Sequence, residues 1–273
     1  MCYWQGIKIT KGQYIRLKAI QKEIQDLRLF RPVQIGFDFK DWPVAKAVPG
    51  KEDFDIKFVH WEYIPPTIFN VQQLQNARKG LTWLNARSET LLVTERGRPS
   101  MYRDGALFGR CLVISSYFFE RRHFPKYGKI GKFKGQLLKT TENVPYCITV
   151  KDTPGYYFMA GVVREWENVE RHQSADTFAI VTTSAKNHGL MDKIHNRELV
   201  LHPNDEHDPR MPTILPEELA YEWLFGDPDE KRIMEIASYQ FPADKMTAWT
   251  VAKNFDKIED PTKEVIYENI PAL

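Results

Sequence analysis

Between residues 110 and 184 the chain returns again and again to one kind of segment. "RCLVISSYFF", "PYCITVKD", "YYFMAGVV" and "TFAIVTTS" are short runs of β-branched and aromatic residues separated by turn-forming residues. Runs of this length and composition are strands, and their succession without intervening helical patterns suits an antiparallel or mixed sheet system. "DFDIKFVHWEYIP" adds an earlier strand stopped by Pro65 and Pro66, and "MTAWTVAKNF" a late one. Helical spacing is read in four places. "QYIRLKAIQKEIQDLRL" places Ile15, Leu17, Ile20, Ile24 and Leu27 near one face, and "NVQQLQNARKGL" is polar and helix-like. "LPEELAYEWLF" and "DPDEKRIMEIAS" are late helices, the second with Asp227 as N-cap and Pro228 at its first position. There is no fixed-period repeat, no strict βαβ alternation and no Gly-rich phosphate loop. The expectation is one α+β domain over residues 1–255. It has a mostly antiparallel, barrel-like or two-sheet core flanked by helices, and a loosely attached tail over 256–273.

Composition narrows the class. At 273 residues, with 42% hydrophobic and 27% charged residues, the chain can bury a sizeable core. Aromatic residues reach 13%, which implies a ring-rich core or binding surface. A formal net charge of +2 announces no nucleic-acid partner, so any basic footprint has to be local. Cys2, Cys111 and Cys147 are widely spaced, with no C-x-x-C, which argues against a zinc ribbon or a dithiol motif. Cys111 and Cys147 lie in apolar runs and read as reduced core residues. No apolar stretch follows Met1 and none is long enough to span a bilayer. The expected setting is cytoplasmic and reducing, with no membrane association.

Six stretches could carry chemistry or binding. Cys2 follows Met1 directly, so loss of Met1 would put a thiol and an α-amine on one residue. "LNARSET" crowds Asn85, Arg87, Ser88 and Glu89 behind an apolar "TWL". It is either a turn with an exposed ion pair or a site where Asn85 fixes a polar group and Arg87 grips an anion. Glu120 closes an apolar strand, as mere punctuation or as a carboxyl among apolar neighbours, the setting a general acid requires. His195, beside Asn196, follows a β-run and a turn, a reasonable place for an active-site loop. "HPNDEHDPRMP" holds His202, Asp205, Glu206, His207 and Asp208, but without metal-ligand spacing it reads as a solvated loop. "RRHFPKYGKIGKFKGQLLK" carries Arg121, Arg122, Lys126, Lys129, Lys132, Lys134 and Lys139 with no acid among them. That segment is either a solvated hairpin or a cationic strip with interleaved rings, suited to phosphates and unstacked bases.

In order along the chain, these pieces resemble the SOS-response-associated peptidase (SRAP) family, whose members shield abasic sites in single-stranded DNA. The likeness rests on Met1-Cys2, on "WEYIPP" (Trp61 to Pro66) and on "NARSET" (Asn85 to Thr90), the most specific match. It continues through "RCLVISSYFFE", "FMAGVVREW" and "FAIVTTSAKNHGLMDKIHN" into "RMPTIL", and covers about residues 1 to 225. The chain departs from the family pattern at several points. Ile114, Tyr117 and Arg121 stand where the family tends to have Pro, Gly and Trp. "WEYIPP" lacks the family's Gly and the Trp that follows. An insertion, Arg197 to Pro209, separates His195 from "RMP", which leaves His207 as a second candidate for the active His; the flank of His195 matches better.

What the resemblance implies is a covalent mechanism. Cys2 is the nucleophile once Met1 has been removed by the same site, acting as a thiol autopeptidase. A terminal amine has a pKa of about 7.7–8.0, so part of it is nucleophilic near neutral pH. It condenses with the aldehyde of a ring-opened abasic site, and the thiol of the same residue closes a thiazolidine. By the same resemblance Asn85 positions the amine or the sugar oxygen, Glu120 shuttles protons and His195 acts on the deoxyribose hydroxyl. Arg87, Trp61 and Arg210 are DNA contacts by the same resemblance. The partner is single-stranded DNA with abasic sites, the protein a monomer that acts at the nucleoid, and no cofactor or metal is called for. Two other classes stay open on the residues alone: an N-terminal-nucleophile thiol amidohydrolase, and a non-catalytic single-stranded-DNA-binding module.

Overall fold

The computed structural model describes residues 3–25, 29–202, 204–268 and 270–273, so Met1 and Cys2 lie outside the described residues, as does Leu27. In the first part of the chain the strands are β1 (Trp4–Lys8), β2 (Tyr14–Leu17), β3 (Ile20–Glu23), β4 (Phe30–Ile35), β5 (Asp41–Ala47) and β6 (Phe54–Trp61). Helix α1 (Val71–Ala77) precedes β7 (Asn85–Arg87), and α2 (Arg103–Phe108) precedes β8 (Arg110–Ser115). Four long or central strands follow: β9 (Tyr117–Tyr127), β10 (Leu137–Val150), β11 (Tyr157–Asn168) and β12 (Gln173–Ser184). The chain then forms α3 (Met191–Ile194), α4 (Arg197–Leu201), β13 (Arg210–Pro212) and β14 (Ile214–Leu215), and ends in α5 (Glu217–Phe225), α6 (Glu230–Ala237) and β15 (Met246–Thr250).

The sheets account for the expected barrel-like, mostly antiparallel α+β core. In the larger one β12 pairs with β6, β6 with β5, β5 with β8, β8 with β11, and β11 with β12 again, which closes a ring of strands. The β12–β6 and β12–β7 pairings are parallel, and the others in this sheet antiparallel. Ile180 pairs with Gly161 on one side and Asn85 on the other, so β7 extends the line of β6 along β12. The second sheet runs β15-β10-β9-β1-β4.

Trp42, Trp61 and Phe178 fill the core with fully buried rings, Trp42 and Trp61 6.1 Å apart and Trp61 stacked on Phe178 at 6.2 Å. A buried indole N–H needs an acceptor. Trp42 donates to the Ile114 carbonyl at 2.9 Å, Trp61 to Leu84 at 3.1 Å, and Trp223 of α5 to Cys111 at 3.1 Å. Cys111 and Cys147 are buried free thiols, and burial pushes both pKa values up. No helix among the described residues is long and apolar enough to cross a membrane.

Four sequence expectations need correction. Within the segment read as an amphipathic helix over 13–29, residues 14–23 form the hairpin β2–β3. Ile15 and Leu17 alternate inward while Tyr14 and Arg16 face out, and Lys18 turns the chain at φ 51°. The helix-like spacing of Leu17, Ile20 and Ile24 comes from folding a period-two pattern back across that turn. "RCLVISSYFFE" is two strands, β8 and β9, split at Ser116, whose N–H donates to the Gly6 carbonyl at 2.8 Å. The N-cap of α6 is Asp229 rather than Asp227: its carboxylate accepts the Arg232 N–H at 2.7 Å, which leaves Pro228 ahead of the helix. The segment from Asp256 is stitched to β15. Trp249 donates to the Thr262 carbonyl at 2.7 Å, Thr250 to Val265 at 2.6 Å and Tyr267 to Val251 at 2.9 Å.

Candidate functional site

Glu120 sits where three strands meet. Trp4 of β1 pairs with Phe119, and Tyr146 of β10 pairs with Glu120. Tyr3 is thereby brought against the carboxylate. Burial raises the Tyr3 phenol pKa first and Glu120 second, against a hydrogen bond from Thr82 and the charge of Arg87. The Tyr3 carbonyl accepts the Gly36 N–H at 2.8 Å, and its ring lies 4.7 Å from that of Phe37. Glu120 itself accepts the Arg121 N–H at 2.9 Å.

Asn85 enters from β7. Both atoms of its side-chain amide are buried and have no partner among the described residues, an arrangement that costs roughly 1–3 kcal/mol per group left unsatisfied. The Ser88 hydroxyl, immediately after the exposed Arg87, is likewise buried and without a partner among the described residues. Asn85 is held from behind, since its carbonyl accepts the Tyr102 hydroxyl at 3.3 Å.

His195 caps the C-terminus of α3, its N–H donating to Met191 at 2.8 Å. Its Nδ1 accepts the Arg210 backbone N–H at 3.3 Å, which leaves the ring proton on Nε2. Burial drives its pKa down to about 4; Glu120 opposes this and His207 adds to it. At neutral pH His195 is therefore an uncharged imidazole beside a carboxylate. His207, the other candidate, donates its Nε2–H to the His195 carbonyl at 3.0 Å, and the two rings stack at 6.5 Å.

The expectations for DNA contact at Trp61 and Arg210 are corrected by burial. Trp61 is 0% exposed and spends both its N–H and its ring faces on the core, so no base can stack on it. Arg210 is 4% exposed; its guanidinium bonds Glu89 at 2.5 Å, Asp208 at 2.9 Å and the Thr182 carbonyl at 2.6 Å. It ties "NARSET" to the His195 loop from inside.

The sequence did not single out Tyr3 or the pairing of Asn196 with His123. Asn196 donates to the His123 carbonyl at 2.9 Å and accepts its N–H at 2.7 Å, a two-bond clamp between the His195 loop and β9. Only its place next to His195 hints at this. A shallow cleft of about 450 Å³ opens beside the clamp, lined in part by Arg122, Lys186, Lys193, Asn196 and His207. No group of three or more His, Cys, Asp or Glu side chains able to hold a metal ion occurs among the described residues.

The family described as SOS response associated peptidase (SRAP) matches residues 39–258. Abasic site processing protein YoqW of Bacillus subtilis (strain 168) is 26% identical over 208 residues, 76% of this chain and 74% of that protein; its namesake in Bacillus phage SPbeta matches equally. Among solved structures, a Bacteroides thetaiotaomicron protein superposes with a TM-score of 0.69 at 22% identity, over 97% of this chain and 100% of that one. A Bordetella bronchiseptica protein gives 0.61 at 17% identity, over 92% and 100% of the two chains. A phage-related protein of the same organism gives 0.59 at 19% identity, over 92% and 95%.

Proposed function

Because the chain belongs to the SOS response associated peptidase family, we propose that it processes abasic sites in single-stranded DNA, covalently and through Cys2. The observation that carries this reading is the meeting of Tyr3, Glu120 and His195: the residue next to Cys2 in the chain feels the same carboxylate that His195 feels. The name of the Bacillus relatives points to the same lesion.

The chemistry runs in three steps. Removal of Met1 frees the Cys2 amine. That amine adds to the aldehyde carbon of the ring-opened sugar and water leaves, giving an imine. The Cys2 thiol then adds to the imine carbon, its proton passes to nitrogen, and a five-membered thiazolidine closes. The second attack is intramolecular, so little further entropy is lost in bringing its partners together. Glu120 carries protons in the addition and dehydration steps. Neutral His195, protonated on Nε2, donates a hydrogen bond to the sugar oxygen without needing to ionise. The Asn85 amide, without a partner among the described residues, orients the amine or the sugar oxygen, and Arg87 holds a flanking phosphate. Met1 removal falls to the same groups: the Cys2 thiol attacks the Met1 carbonyl carbon, the Met1–Cys2 C–N bond breaks as the amine takes up the proton, and water hydrolyses the resulting thioester to release methionine and restore the thiol.

Intact-mass measurement after incubation with an abasic single-stranded oligonucleotide tests the reading. The expected product is the chain without Met1 plus the oligonucleotide, less one water. Cys2→Ala abolishes it and Glu120→Gln slows it by roughly 10²-fold or more, the scale of general acid–base catalysis. A Cys2→Ala chain that still forms the adduct overturns the mechanism.

A further inference from the structure

The hairpin of β9 and β10 outruns the sheet that holds its root. β1 leaves β9 at Phe119 and β15 leaves β10 at Tyr146. The two strands nevertheless stay paired outward from Glu120 and Tyr146 to Pro125 and Thr141, and again at Tyr127 and Leu137. From Glu120 to Tyr127 this ribbon rises roughly 23 Å. Between Glu120 and Glu142 it carries seven Lys and Arg residues and no acid, in a chain whose net charge is only +2, so the rest of the molecule is net acidic.

Lys129, Lys134 and Lys139 are exposed and Lys126 half-buried, and none of the four makes an ion pair among the described residues. Tyr127 is 56% exposed beside them. The tip of this ribbon is crowded with like charges and buries little apolar surface, a composition suited to a polyanion. The root of the ribbon belongs to the candidate site: Glu120 lies on β9, and His123 is clamped at 2.7 and 2.9 Å by Asn196, next to His195.

We propose that the β9–β10 ribbon is a phosphate-gripping arm that holds single-stranded DNA on one side of the pocket without reading its sequence. Lys126, Lys129, Lys134 and Lys139 neutralise phosphates, and Tyr127 offers an exposed ring for a base to stack on. The arm deepens the abasic-site reading and rests on it for the identity of the strand.

The test uses unmodified single-stranded DNA, so that it does not depend on the covalent step. Fluorescence anisotropy compares the full chain with a K126Q/K129Q/K134Q/K139Q variant and with a chain in which residues 128–135 are replaced by an Asn-Gly turn. At about 0.7 per neutralised phosphate, the log–log slope of affinity against salt falls by roughly 3 in the first variant, with affinity down at least about tenfold. The shortened ribbon, which lacks Lys129, Lys132 and Lys134 but keeps Lys126 and Lys139, lowers the slope by roughly 2. Unchanged slope and affinity in both variants overturn the arm. So does lysine-dependent binding to phosphatidylserine vesicles in place of DNA. A parent chain with an arm-dependent slope that never forms the abasic adduct sinks the covalent reading and keeps the arm; an adduct with an unchanged slope does the reverse.

Discussion

His195 shows how the fold sets the charge of a side chain. Its pKa of about 4 lies below the 6.5 of a free imidazole because burial penalises the cation more than Glu120 repays. Between those two values the unfolded chain holds a proton that the folded chain refuses. Stability is therefore fully present above about pH 6.5 and lost as pH falls toward 4. His123, also depressed by burial, acts in the same direction. Urea unfolding at a series of pH values is expected to show the midpoint of the parent chain dropping more steeply between pH 6.5 and 4 than that of His195→Asn. Parallel curves would mean that the imidazole is not the group responsible. The same scale explains what sequence can and cannot say about a site. Asn85 and Glu120 stand out because a polar group beside an apolar run is conspicuous in one dimension. Trp61 and Arg210 misled because residue type does not reveal which face of a strand turns inward; one became core and the other an internal tie.

At the scale of elements, the end of the chain is the clearest departure from expectation. Residues past Asp256 are charged and Pro-bearing, which resembles a loose tail, but their carbonyls serve as acceptors for β15 side chains and Pro261 is buried. They also cover β15, the outer strand of its sheet, with Val251 bridging Glu264. Ending the chain at Lys257 removes these acceptors. Each hydrogen bond contributes about 1 kcal/mol net, so a melting temperature lower by roughly 5 °C or more is expected by calorimetry. A melting point unchanged within error would mean that the segment rests on the surface without stabilising it. Periodicity failed at β2–β3 for a related reason. Leu17, Ile20 and Ile24 mimic a helical face only when the turn at Lys18 is ignored, and the αL backbone there is carried by a residue type that does not advertise it. Where the run was long and β-branched, as in β11 and β12, composition and structure agree.

For the whole molecule, β12 is the hub. It is flanked by β11 on one edge and by β6 and then β7 on the other, and its residues from Thr177 to Thr183 are buried. Its amides are expected to exchange with deuterium only through global unfolding, while those of residues 129–136 at the ribbon tip exchange early. Mass spectrometry of exchange reads both; fast exchange in β12 would refute the hub. Strands of this kind were visible in the sequence, but their order around the ring was not. Order depends on which distant segments pair, and no local pattern records that.

The seam between β6 and β12 also sets a timetable. It is closed by two residue pairs, Thr177 with His60 and Phe178 with Trp61, reinforced by the Ile64 N–H on Thr177, a contact spanning 113 residues. During synthesis β5, β6 and β8 are complete long before their last neighbour exists. Until β12 has emerged, the face that will bury Trp61 has no lid, and the nascent chain carries an open apolar sheet. Translation has to run through Phe178 before the ring can shut. For that interval the protein depends on the pace of the ribosome, and on whatever shelters a growing chain, as much as on its own packing.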